Sequence, residues 1–82
     1  MLQAVLKSAK TIEYRDIPIP EPAAGQVVMR VMRIGICGSD IHVYHGNHKY
    51  ATLPLVQGHE GSGAVVKVGS GVSGLAPGDL VT

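Results

Sequence analysis

Apolar and polar positions alternate in short runs, which predicts strands rather than helices along most of the chain. Residues 2–7, Leu-Gln-Ala-Val-Leu-Lys, alternate loosely and predict a first strand. Residues 11–17 are β-rich in type and predict a second, with Ser8-Ala9-Lys10 as the turn between them. Pro18, Pro20 and Pro22 then fix φ and remove backbone donors, so that stretch predicts an extended connector or a sheet edge. Val27 to Ile34 is the longest strand candidate. Its alternation is imperfect, because Arg30 and Arg33 fall on opposite parities, and a bulge or bend is expected near residues 32–35. Ser62 to Val68 predicts another strand, Gly69-Ser70-Gly71 and Pro77-Gly78-Asp79 predict turns, and a last strand begins at Leu80. A single short helix is predicted over residues 40–45, capped by Ser39, carrying Asp40 in its first turn and ended by Gly46-Asn47. Residues 46–57 predict a loop. Short strands divided by Gly/Pro turns make the fold class mainly β, a barrel or a sandwich.

Size and composition narrow the setting. Eighty-two residues make at most one small domain. A free-standing domain of that size buries only about 60–65% of its unfolded surface and leans on a metal or a partner. With no Phe or Trp, the core has to come from Val, Ile, Leu, Met and Ala. The net charge is +1 with scattered basic residues, which offers no footprint for nucleic acid or an anionic membrane. One cysteine excludes an internal disulfide and fits a reducing compartment. No signal-peptide core and no run near the ~20 apolar residues of a membrane span is visible, so the expected location is the cytoplasm. Because the last strand starts as the residues stop, the chain reads as part of a larger domain.

Candidate chemistry concentrates in two places. Cys37-Gly38-Ser39-Asp40-Ile41-His42 puts a thiol, a hydroxyl, a carboxylate and an imidazole within six residues, and Gly58-His59-Glu60-Gly61 adds an adjacent imidazole and carboxylate. Taken singly, each has a plain structural explanation: Cys37 as a small buried hydrophobe, Asp40 as a helix N-terminal charge, Ser39 as an N-cap. Taken jointly, Cys37, His59 and Glu60 suit a Zn²⁺ that keeps a position open for water or substrate. Gly38, Gly58, Gly61 and Gly63 flank both halves and would let backbone approach closely. Asp40 would accept the second N–H of the zinc-binding His59, while Ser39 would hydrogen-bond a substrate oxygen and pass its proton towards His42. Spacing alone leaves the metal site and the structural explanations both open. His42, His45 and His48 recur every third residue, but Gly46-Asn47 breaks the helix that would align them, so His45 and His48 are expected to be solvated loop residues. Lys49, Lys67, Arg30 and Arg33 form no cluster and are expected to be solvated too. Gly69 to Gly74 spells G-x-G-x-x-G, yet Pro77-Gly78 stands where a helix should follow, so it is expected to be a turn and not a dinucleotide site.

Gly35-Ile36-Cys37-Gly38-Ser39-Asp40-Ile41-His42, then Leu53-Pro54 and Gly58-His59-Glu60-Gly61, resembles the zinc-dependent medium-chain alcohol/polyol dehydrogenases. Val66 to Val72 followed by Pro77-Gly78-Asp79-Leu80-Val81 is similar to the same family's next strand and turn. The resemblance implies a partial GroES-like β-barrel with a short helix after Cys37. Residues 1–82 would be the N-terminal portion of the catalytic domain, with the Rossmann nucleotide-binding domain absent from this stretch. It implies Zn²⁺ on Cys37, His59 and Glu60, a proton relay through Ser39 and His42, and Asp40 behind the zinc-binding His59. The cofactors would be Zn²⁺ and NAD or NADP, the partner a small alcohol or polyol, and the full-length form a homo-oligomer; no cofactor-binding residue is identified. Glycine at 38 and glutamate after His59 resemble the polyol, threonine and butanediol dehydrogenase branch. Alternative expectations are a zinc-free reductase of the quinone or enoyl type and a non-enzymatic GroES-like assembly module.

Overall fold

Antiparallel pairing joins β1 (Leu2–Ser8) to β2 (Thr11–Asp16), from Leu2 opposite Asp16 to Ser8 opposite Thr11. The computed structural model describes all of residues 1–82. The register shifts between Leu6 and Ser8, and Lys10 takes a positive φ of 62° in the turn. β3 (Val27–Gly35) spans the stretch near residues 32–35 where a bulge or bend is expected. The helix α1 (Gly38–Tyr44) follows, and then β4 (Glu60–Val68) and the two-residue β5 (Leu80–Val81). β4 lies between β3 and β5 in an open three-stranded sheet, and pairs antiparallel with β5. The fold is therefore mainly β with one short helix, as the alternation predicts, and neither sheet closes on itself. No helix is long and apolar enough to cross a membrane.

The chain gathers into two compact units. The first comprises Met1–Pro18 and Gly35–His59, the second Ile19–Ile34 and Glu60–Thr82. In the first unit Val5, Leu6 and Val43 are buried, drawn from β1 and from the inner face of α1. Leu6 and Leu55 exchange both backbone hydrogen bonds, at 2.8 and 3.0 Å, which moors the loop after α1 against β1. The Lys10 N–H donates to the Tyr44 carbonyl at 2.7 Å and fastens the helix end to the hairpin turn. Buried backbone groups need partners, and these bonds supply them where no regular ladder runs. The Leu53–Pro54 peptide bond is cis.

In the second unit Val65 is the fully buried anchor. A Cβ on Gly63 would stand 2.0 Å from the Arg30 carbonyl oxygen, so only glycine lets the backbones approach this closely. The Pro77-Gly78-Asp79 turn forms as expected. Val65 and Asp79, and Gly78 and Val65, are joined by 2.8 Å backbone bonds, while Asp79 Oδ2 accepts the Ala76 N–H at 2.9 Å. Lys67 is exposed, as expected, and pairs with the exposed Glu21 at 2.6 Å. No helix follows Gly69 to Gly74; Gly69 and Gly25 lie in turns that exchange backbone bonds with Gln26 and Ser70. The turn reading of that stretch holds.

Candidate metal centre

α1 starts two residues earlier than Ser39 capping would require. Its N-cap is Cys37, extended at φ −85° and ψ 156°, and Gly38, Ser39 and Asp40 are the first three helical residues. Asp40 therefore sits where a side chain can reach back: its Oδ2 accepts the Cys37 N–H at 3.0 Å. Ser39 is not the cap, and its hydroxyl is left for the cavity beside the helix. The helix ends in a Schellman arrangement, with the Asn47 N–H on the His42 carbonyl at 2.9 Å and the Gly46 N–H on that of Val43 at 3.0 Å. Gly46 has the positive φ of 81° this ending needs.

From there the loop returns, through its Leu55–Leu6 bridge, to present residues 57–59 beside the start of α1. Gln57 Nε2 donates to the Asp40 carbonyl at 3.0 Å. His59 Nδ1 lies 3.4 Å from Asp40 Oδ1. The Cys37 Sγ and a ring nitrogen of His59 come within 4.8 Å of each other. Residues twenty-two apart in sequence are thus brought together inside the first unit. Glu60, bonded directly to His59, opens β4 and the second unit. β4 begins there and not at Ser62, so the carboxylate is held on a strand.

The donor set fits Zn²⁺. Thiolate and imidazole are its usual soft and borderline ligands, and bonds of about 2.3 Å to sulfur and about 2.1 Å to nitrogen ask only a small side-chain adjustment from this separation. His59 Nδ1 is directed at a carboxylate, as is usual for a metal-binding histidine that ligates through Nε2. Among the flanking glycines Gly63 is a close approach, a Cβ on Gly61 would meet the Arg33 carbonyl only at 3.8 Å and one on Gly38 would meet open space, while Gly58 has a positive φ of 108°.

A cavity of about 290 Å³, open to solvent, lies beside these groups within the first unit. Ser39, Asp40 and His59 line it, with Val43, Leu55 and Val56 as apolar wall. His42 is exposed on the last turn of α1, three residues from Ser39, a spacing that makes the two neighbours on the helix surface. His45 caps the helix C-terminus, edge-on to Tyr44 with ring centroids 5.4 Å apart. His48 is exposed, as expected of a solvated loop residue beyond the Gly46-Asn47 helix end, and it also stands with Ser39 and His59 among the residues lining this open cavity. Its only signal was the three-residue recurrence.

Residues 23–82 match the family described as the alcohol dehydrogenase GroES-like domain. The chain belongs to that family. As a member of the alcohol dehydrogenase GroES-like family it is 45% identical to sorbitol dehydrogenase of Gallus gallus over 98% of its own length. A dehydrogenase from Sinorhizobium meliloti named as zinc-binding and solved with NADP superposes with a TM-score of 0.86, at 40% identity over 99% of this chain and 23% of that one. The 2R,3R-butanediol dehydrogenase of Bacillus subtilis gives a TM-score of 0.85, at 36% identity over 96% of this chain and 26% of that one. The chain spans about a quarter of the length of these relatives, 23% in the case of the Gallus gallus enzyme.

Proposed function

We propose that residues 1–82 are the N-terminal portion of the catalytic domain of a zinc-dependent NAD(P) alcohol/polyol dehydrogenase, which oxidises an alcohol to a carbonyl by hydride transfer. The nucleotide-binding Rossmann domain would belong to the same longer polypeptide. The observation that carries the reading is the meeting of Cys37 and His59 in front of Asp40, in a chain whose relatives are named sorbitol and butanediol dehydrogenases.

Cys37 and His59 would hold Zn²⁺, with Glu60 as the third ligand beside His59. Bound there, the metal supplies Lewis-acid polarisation of a substrate oxygen. Asp40 keeps His59 in the tautomer that offers Nε2, and through the Cys37 N–H it also holds the thiol-bearing residue in place. The Ser39 hydroxyl takes the proton of the substrate alcohol and passes it to His42 and solvent. Val43, Leu55 and Val56 give the substrate carbon an apolar surface to lie against. Many apolar side chains remain exposed, among them Ile36 at 79% and Leu80 at 80%, which supports further protein covering them and a homo-oligomeric full-length form.

The test is zinc analysis of the full-length enzyme. One catalytic zinc lost together with activity in Cys37→Ser and His59→Ala is expected. Metal-free protein with undiminished activity would point to a zinc-free reductase. Residues 1–82 alone should show no dehydrogenase turnover.

A further inference from the structure

We infer that His48 is a specificity-determining residue of the cavity, donating a hydrogen bond from Nε2 to a second hydroxyl of a polyol substrate. The inference rests on the dehydrogenase reading above and adds a residue to it. Three observations carry it. His48 lines the same cavity as Ser39 and His59. Its Nδ1 accepts the Tyr50 N–H at 3.3 Å. Its ring also meets that of Tyr50 edge-on, with centroids 6.3 Å apart.

A neutral imidazole carries one N–H, and the nitrogen that accepts is the bare one. With Nδ1 receiving a backbone donor, the proton sits on Nε2, and Tyr50 holds the ring from two sides. Much of the remaining lining is apolar: Val43, Ala51, Leu55 and Val56 offer a substrate hydroxyl no side-chain partner. Asp40 is committed to Cys37 and His59, and the Gln57 amide nitrogen to the Asp40 carbonyl. The Ser39 hydroxyl serves the reacting oxygen. His48, beside the remaining N–H of the Gln57 amide, thus offers a donor to a second oxygen, which a polyol has and a simple alcohol lacks.

The experiment compares His48→Asn with His48→Gln in the full-length, zinc-loaded enzyme. Asparagine can still accept the Tyr50 N–H two residues on, as in an Asx turn, but does not reach as far as Nε2. Glutamine places an amide donor near the Nε2 position. Affinity for a vicinal polyol and for a mono-alcohol of the same chain length is measured by titration calorimetry, beside KM and kcat for each. His48→Asn should weaken polyol binding about 3- to 10-fold, the loss of one neutral hydrogen bond, with mono-alcohol binding and both kcat values within about 2-fold. His48→Gln should keep most of the polyol affinity. Equal losses on both alcohols, or no loss on either, would overturn the inference while leaving the dehydrogenase reading intact. A zinc-loaded wild type that oxidises neither alcohol would overturn both.

Discussion

His59 and Cys37 are tied to the two oxygens of one carboxylate: Asp40 Oδ1 faces His59 Nδ1 at 3.4 Å and Oδ2 receives the Cys37 N–H at 3.0 Å. One side chain therefore does two jobs, capping α1 and orienting an imidazole. Two substitutions separate them. Asp40→Asn can keep an oxygen on the Cys37 N–H but presents an amide donor to His59, which favours the tautomer with Nε2 protonated and unable to ligate. Zinc affinity should fall about 10- to 100-fold, as for other partners of ligating histidines, with little change in stability. Asp40→Ala should lose the affinity and about 1 kcal/mol of stability as well. Competition with a chromogenic chelator reads the first and chemical denaturation the second; equal zinc affinity in wild type and Asp40→Asn would refute the orienting role.

Gly63 and Gly38 both flank the candidate ligands but differ in what surrounds them. A methyl at 63 meets the Arg30 carbonyl at 2.0 Å, whereas one at 38 meets nothing within 4 Å. Gly63→Ala should cost about 1–3 kcal/mol as backbone shifts to admit it. Gly38→Ala, in the first turn of α1, should be neutral or stabilise by up to about 1 kcal/mol through helix propensity. Urea unfolding of the two variants side by side checks the contrast, and an equal cost would remove it.

Ending α1 at Gly46 requires a left-handed residue, and a Cβ there would also stand 3.0 Å from the Ala9 Cβ. Gly46→Ala should destabilise by about 1–2 kcal/mol from conformation alone. Because the same turn launches the loop that carries His48, amide chemical shifts of residues 47–50 should move with it. A variant as stable as the parent, with those shifts in place, would contradict this.

Lys7 Nζ lies 3.0 Å from Glu13 Oε2 across the first hairpin. The hydrogen bond from Lys7, then its charge, holds the Glu13 carboxyl below its ordinary range, against a slight opposing push from burial. A carboxylate depressed in the folded state stabilises fully above its unfolded pKa, and that contribution is lost as pH falls through the folded value. Both side chains are well exposed, so the contribution is small and screened by salt. Following the Glu13 carboxyl by NMR, Lys7→Met should raise its midpoint; an unchanged midpoint would show that the pair is not formed in solution.

Strand and turn placement was legible because it depends on local rules. Alternation found β1 to β5 to within a few residues, and Pro77-Gly78-Asp79 and Gly46-Asn47 announced their turns through backbone conformation that few other residues adopt. The candidate ligands were legible too, since thiol, imidazole and carboxylate are chemistries a sequence shows directly. Three other features lie outside local pattern. The cap of α1 moved from Ser39 to Cys37, against the usual preference for a hydroxyl, because the Asp40 carboxylate three residues on reached back to the Cys37 N–H. Gly63 and Gly38 look alike in sequence, and only the position of the Arg30 carbonyl tells them apart. His48 entered the cavity because the Leu6–Leu55 bridge, a contact between residues forty-nine apart, turns the loop back towards β1.

The sequence by itself determined the mainly β class, the short helix after Cys37 and which thiol, imidazole and carboxylate are the candidate ligands, since these follow from local backbone preference and side-chain chemistry. Tertiary structure alone decided which groups meet. The orientation of His59 by Asp40, the walls of the cavity and the return of His48 all depend on non-local hydrogen bonds and packing, whose partners are chosen by the path of the folded chain.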